Sequence, residues 1–209
     1  MDQDQVTYEF STLRFAEFWF CYEKKYRNAL LSEAHEERLR GLRRALNYFG
    51  VARNLARKHD EGRGLKRYEP LLPIVADATN MATDNDLDMK RAVEDVSQRI
   101  GHLYGGTPIS LASKVLWLLH RDPFVIFDEQ ARRSLRAPHG YTAFVERWKA
   151  EYCRRRPAID AACAEFRGMS RYLRCGTVVS ETDLSQAAGK EWFRRRVFDI
   201  YLWTSGAPR

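Results

Sequence analysis

The residues best suited to chemistry lie close together, in the stretch HLYGGTPISLASKVLWLLHRDPFVIFDEQARRSL that covers residues 102–135. Within it, ISLASKVLWLL is apolar on almost every side, and a helix of that kind is expected to be buried. One cation stands inside it, Lys114, with Ser110, Leu111, Trp117 and Leu118 one helical turn away. Lysine is seldom fully buried. Burial disfavours the ammonium form and lowers its pKa, and a neutral lysine amine is a nucleophile. The plainer alternative is a lysine whose head reaches solvent past a partly buried helix. Fourteen positions further on, after the apolar run of Phe124, Val125, Ile126 and Phe127, stands Asp128. It opens the segment DEQARRSL as a natural N-cap, and a carboxylate at such a point is also able to face a cleft. Asp122 and Pro123 stop the lysine helix, and one helix, one turn and an extended return would bring Asp128 back toward Lys114.

The elements expected to position these groups are helices. Gly105 and Gly106 end one helix, because glycine accepts the left-handed backbone that follows a helix C-terminus. Thr107 then reads as an N-cap and Pro108 as the first residue of the lysine helix. The backbone N–H groups of Gly105, Gly106 and Thr107 suit a phosphate, with Arg132 and Arg133 as further phosphate holders; an ordinary helical hairpin needs no such ligand. Apolar spacing near 3.6 predicts further helices over 11–31 (Ser11 as N-cap), 34–58, 70–82, 88–104, 141–153, 158–173 and 190–203. The stripe of Leu13, Phe15, Phe18, Trp19, Tyr22 and Tyr26 reads as core rather than as a stacking platform. Period-two strands are missing, so the expected fold class is all-α: one helical domain over 1–209, with a helix-hairpin-helix-like motif near 100–136. The segment 59–67, HDEGRGLKR, reads as a surface loop and makes an N-terminal subdomain over 1–60 admissible.

Composition narrows the function. Of the 209 residues, 44% are hydrophobic and 30% charged, the balance of a globular chain. The acidic start MDQDQVTYEF lacks the apolar core of a signal peptide, and no run reaches the roughly 18–20 apolar residues of a membrane span; a cytoplasmic protein without membrane association is expected. Cys21, Cys153, Cys163 and Cys175 form no CxxC pair and read as four buried or half-buried thiols rather than as metal or cluster ligands. Residues 1–100 hold 17 Lys/Arg against 17 Asp/Glu, whereas residues 101–209 hold 18 against 11, so the net charge of +7 belongs to the second half. Arginine clusters at 132–133, 154–156 and 194–196 point to a polyanion such as nucleic acid. The acidic stretch TDNDLDMK lacks the central glycine and later glutamate of a calcium loop. No phosphate-binding GxxxxGK[ST], HExxH or GxSxG motif occurs.

The order of hairpin, lysine helix, apolar return and helix-capping aspartate resembles the active-site segment of helix-hairpin-helix DNA glycosylases, especially the oxoguanine-glycosylase type. The resemblance covers residues 100–136. The hairpin, Leu103-Tyr104-Gly105-Gly106, departs from the Leu-Pro-Gly-x-Gly form usual in that family, and the lysine–aspartate spacing is several residues short. The resemblance implies a DNA glycosylase, with or without AP-lyase activity, that removes a damaged or modified base in repair or in defence against foreign DNA. It implies Lys114 as nucleophile and Asp128 as the catalytic carboxylate, with DNA as the partner of a monomer. Neither a metal nor a cofactor is called for, and the iron–sulfur cysteines of the endonuclease-III branch are missing. A non-enzymatic helical DNA- or RNA-binding domain accounts for the basic half without a buried lysine, and a protein-interaction module is the third reading.

Overall fold

Every regular element among the described residues of this computed structural model is helical, and those residues are 7–55, 65–81, 85–166, 168–174 and 179–206. In chain order the helices are α1 (Tyr8–Phe18), α2 (Lys24–Leu30), α3 (His35–Tyr48), α4 (Leu71–Thr79), α5 (Asp86–Tyr104), α6 (Ile109–His120), α7 (Glu129–Ser134), α8 (Tyr141–Ala164), α9 (Glu181–Ala188) and α10 (Glu191–Ser205). The chain is all-α, as its periodicity predicts. It divides into two compact units, one of Glu23–Ile126 and one made of Met1–Tyr22 with Phe127–Arg209.

In the unit of Glu23–Ile126, the central element is α6. Leu111, Ala112, Val115, Leu116, Trp117, Leu118 and Leu119 are all buried, and α2, α4 and α5 pack around the helix. α5 is a strongly defined helix. Asn85 caps it by accepting from the N–H groups of Leu87 and Asp88, each at 3.0 Å. Asp86 and Asp88 sit in its first turn, where the helix dipole favours anions. These are two of the three acids that the sequence sets beside one another; Asp84 lies outside the described residues. α3 ends earlier than the expected 34–58 because the chain turns left-handed at Gly50 (φ 67°). The N–H of Gly50 then donates to Asn47 O and that of Val51 to Leu46 O, both at 3.0 Å, which closes the helix in a Schellman motif. The expected surface loop lies outside the described residues over 59–64, and Lys66–Tyr68 is a short 3-10 turn.

In the other unit, α10 takes the central place, packed by α1, α7, α8 and α9. Phe15 of α1 meets Phe193 at a ring distance of 4.7 Å, and Trp19 meets Trp192 at 4.6 Å. The aromatic stripe of the first helix is thus core at Phe15 and Trp19, while Leu13 and Phe18 are half-buried. Arg14 lies over the rings of Phe18 and Trp203, its carbon 4.9 Å from the latter's centroid. α1 begins at a cap on Thr7 rather than on Ser11. Thr7 Oγ1 accepts from Phe10 N at 3.2 Å, and the buried Ser11 hydroxyl donates to Thr7 O at 2.9 Å. A π-helical turn at Trp19–Glu23 separates α1 from α2 where one helix was expected.

The two helices expected over 141–153 and 158–173 are in fact one, because α8 runs through Pro157. Proline inside a helix costs about 3 kcal/mol through a lost hydrogen bond and a ring clash. Here Pro157 is on the exposed side of the helix, the side on which carbonyls tilt out toward water and helices bend. Phe144, Val145, Trp148 and Tyr152 before it and Ile159, Ala162 and Cys163 after it are buried. Burial on both sides of the proline outweighs the break. The cysteines differ from four buried or half-buried thiols: Cys163 is a buried thiol and Cys153 an exposed one. Cys21 is disulfide-bonded, and Cys175 lies outside the described residues.

The α5–α6 turn folds back onto α5 at Gly101, where an added Cβ would stand 2.3 Å from the carbonyl oxygen of Gly106. Gly101→Ala gains up to about 1 kcal/mol of helix propensity, but the blocking atom is backbone and has no rotamer to escape into. Net destabilisation by about 1–2 kcal/mol is expected, within the range for overpacking. A urea midpoint equal to or above that of the wild type would show that the turn does not press on α5.

Candidate functional site

Lys114 is buried, with 5% of its surface exposed, in the most enclosed helix of its unit. Helical side chains lean toward the helix N-terminus, and this one does so. Its Nζ donates to Ser110 Oγ at 2.7 Å, one turn back. The amine is therefore held at the end of α6 that adjoins the glycine turn. Ser110 is itself half-buried and its carbonyl accepts from the Ser113 hydroxyl at 3.3 Å. An amine fixed by a hydroxyl at the mouth of a helix is a suitable group for addition to an electrophilic carbon.

The turn before it is exposed at Gly105, Gly106 and Thr107. Both glycines have positive φ, 87° and 73°, but Gly105 combines it with ψ 160°, not the expected left-handed helical turn, and its N–H donates to Gly101 O at 2.7 Å, so of the three expected phosphate-holding amides it is already used. α6 starts one residue later than expected. Pro108 occupies the cap position, and Thr107 contributes its carbonyl, accepting from Ile109 N at 2.8 Å, rather than a side-chain cap. Tyr104 anchors the turn by donating its hydroxyl to Arg67 O at 2.5 Å, and partial burial pushes the Tyr104 phenol up to about 12.

Asp128 is the N-cap of α7, with its side chain accepting from Gln130 N at 2.9 Å. It opens the segment Phe127–Arg209, whereas Lys114 belongs to Glu23–Ile126. Arg132 and Arg133, on α7, differ in availability. Arg132 forms a bidentate pair with Glu129 (2.7 and 2.9 Å) and donates to Ala137 O at 2.7 Å, with 14% of its side chain exposed. Arg133 is 62% exposed and reaches Glu129 at 3.2 Å. The hydrogen bond from Arg132 is the main reason that the Glu129 carboxyl falls to about 2.

Asp199 is the group whose burial sequence reasoning missed, although the ion pair it allowed for is present. In EWFRRRVFDIYLW it reads as a surface or ion-pairing residue, following Arg195 and Arg196 by one turn. The structure buries it to 5% exposure. Trp148 Nε1 donates to its Oδ1 at 2.7 Å, and Arg196 lies 3.8 Å from Oδ2. Burial outweighs these partners and raises the carboxyl from 3.8 to about 7, with the Asp128 charge adding a smaller push in the same direction. Around it α10 is buried at Phe193, Arg196, Val197, Phe198, Ile200 and Leu202, an enclosure that comes from the helices packed on it and has no local sequence signal.

The aromatic and imidazole groups near Lys114 in sequence have structural places. Trp117 and Phe124 are buried, and the His120 ring nitrogen Nε2 lies 2.7 Å from Ala78 O. Among the described residues no three acids, histidines or cysteines converge on a metal-holding arrangement, and no helix is long and apolar enough to cross a membrane. Comparison of the chain with models of protein families, with curated proteins and with solved structures finds no match.

Asp199 sets a pH dependence with a defined sign. The folded protein keeps its proton up to about pH 7, while the unfolded chain loses it near 3.8. Between those values the native state binds more protons, so this group's contribution to stability falls as pH rises and is lost above about 7. Asp199→Asn keeps an oxygen for Trp148 and removes the ionisation. The melting temperature of the variant relative to wild type is expected to rise between pH 5 and pH 8. A constant offset over that range would mean that Asp199 is already ionised at pH 5.

Proposed function

We propose that the chain is a DNA glycosylase that excises a damaged or modified base through the amine of Lys114, with accompanying AP-lyase activity. The observation that carries this reading is the burial of Lys114 together with the placement of its Nζ at the glycine-turn end of α6. A base inside a duplex is out of reach, so such an enzyme turns the nucleotide out of the stack. The N–H groups of Gly106 and Thr107, in the exposed turn, then hold a flanking phosphate, while that of Gly105 is already given to Gly101 O at 2.7 Å; of the two arginines of α7, Arg133 is the more exposed.

In this reading the Lys114 lone pair forms a bond to C1′ of the sugar. The C1′–N bond to the base breaks, and the base leaves with that electron pair and takes up a proton. Loss of a proton from the new C1′ ammonium and opening of the sugar ring give a Schiff base. Abstraction of a C2′ proton then expels the 3′ phosphate, and water releases the lysine. Asp128 takes the carboxylate's part, opposing the positive charge that develops on the sugar. The role in the cell is then repair or defence against modified foreign DNA.

The test needs no knowledge of the base. An oligonucleotide with one abasic site is incubated with the protein and borohydride, and a covalent complex is sought. Wild type is expected to trap and Lys114→Gln to lose trapping entirely, with its melting curve retained. Asp128→Asn, whose amide is an equally good N-cap, is expected to slow trapping about 100-fold or more. A wild-type protein that binds the oligonucleotide and never traps would remove the Schiff-base lysine. The second reading, a non-enzymatic DNA- or RNA-binding domain, draws on exposed guanidiniums such as Arg133 and Arg154, 62% and 66% exposed. In that reading Lys114→Gln leaves function intact.

A further inference from the structure

The first hundred residues carry no net charge, yet α3 sorts its charges along its axis. Glu36 and Glu37 occupy the first turn, and Arg38, Arg40, Arg43 and Arg44 follow without another acid. Positions 40, 43, 44 and 47 recur at helical spacing and so share a face. That face forms one wall of an open groove of about 520 Å³ lined by Tyr26, Arg40, Arg43, Arg44, Asn47 and Tyr48. Among the described residues that line it there is no carboxylate. Close packing of α2 on α3 builds the groove: a Cβ on Gly41 would stand 2.6 Å from Ala29 Cβ. Tyr26 and Tyr48 are half-buried, their ring centroids 5.5 Å apart. Asn47 is fixed by donating to Arg43 O at 2.8 Å and to the Tyr68 hydroxyl at 3.2 Å. The ion pair of Arg40 with Glu36 at 3.3 Å is exposed on both sides, 55% and 61%; pairs of that kind are worth little and yield readily to a stronger anion.

We infer that this groove binds single-stranded nucleic acid, with backbone phosphates on Arg40, Arg43 and Arg44 and a base against the tyrosines. A cationic groove interleaved with aromatic rings is the arrangement that tracks a single strand, and guanidinium is the side chain best matched to phosphate. The groove's openness favours a polymer that passes through it over a small molecule, which is usually enclosed over most of its surface. The inference does not depend on Lys114 chemistry.

The test is fluorescence anisotropy of a labelled thymidine decamer over a salt series, using the full chain. Arg40→Gln/Arg43→Gln/Arg44→Gln is expected to bind at least 10-fold more weakly and to reduce the salt slope by about 2, since each phosphate contact on a single strand contributes roughly 0.7. Arg40→Gln/Arg44→Gln, two exposed positions, is expected to give an intermediate loss with an unchanged melting temperature, which separates binding from folding. Lys114→Gln is expected to bind as wild type does, so a failure of the catalytic reading leaves this result untouched. Unchanged affinity and slope in the triple variant would overturn the inference. So would competition by ATP that equals the decamer phosphate for phosphate, which would make the groove a small-nucleotide site, or preference for a duplex of the same length.

Discussion

A helix that is apolar around its whole circumference is stable only with other elements on every side of it. α6 imposes that requirement on the residues around it: α2, α4 and α5 each give it an apolar face. The same requirement makes Lys114 unusual. Every side chain of α6 from Leu111 to Leu119 is buried, and a lysine there incurs a desolvation cost that an apolar residue would not. The structure limits that cost by turning the amine back one turn to Ser110, toward the end of the helix that adjoins the exposed glycine turn. The position of the amine follows from helix geometry, and its chemical interest follows from the position.

A second central helix poses the same problem with an acid. α10 is enclosed by four helices and carries Asp199 on a face with no water. What holds it there is the indole N–H of Trp148, itself buried and in need of an acceptor. An aspartate answers that need at the cost of a proton affinity far above its usual value. The two central helices thus each bury an ionisable group that meets a well-placed hydrogen-bond partner, Lys114 on Ser110 Oγ and Asp199 on Trp148 Nε1. Perturbed groups of this kind concentrate at functional sites, although structural networks also produce them.

How much of this was legible in the sequence depends on the scale of the signal. Burial of Lys114 could be read from ISLASKVLWLL, because failure of the polar face is itself a signal and needs no partner to be known. The hairpin was legible in Gly105 and Gly106 for a similar reason: two adjacent glycines at a helix end have one common use. Asp199 was not, because its local neighbours, Arg195 and Arg196, are those of a surface ion pair, and only the surrounding helices remove that option. The continuation of α8 through Pro157 was hidden in the same way. A local rule predicts a break, and buried residues on both flanks override it. The start of α6 at Ile109 rather than at Pro108 is a difference of one residue, set by which oxygen of Thr107 is used.

Charge shows most plainly where counting stops being informative. Screening limits electrostatic reach to about 8 Å at physiological salt, far less than the span of a hundred residues, so a balance taken over half the chain describes no surface that a ligand meets. Arg132 and Arg155 lie in the basic half, yet both are committed: Arg132 to Glu129 and a carbonyl, Arg155 to Glu151, Tyr8 and Tyr201. Arg40, Arg43 and Arg44 lie in the neutral half and line a groove with no carboxylate among its described lining residues, and the pair of Arg40 with Glu36 is exposed on both sides. An arginine's value to a polyanion depends on the acids within a few ångströms of it and on whether its fork already closes on one of them. By that measure Arg40, whose pair with Glu36 is exposed on both sides, offers more to a phosphate than Arg132, whose side chain is 14% exposed, although the sequence, summed by halves, points the other way.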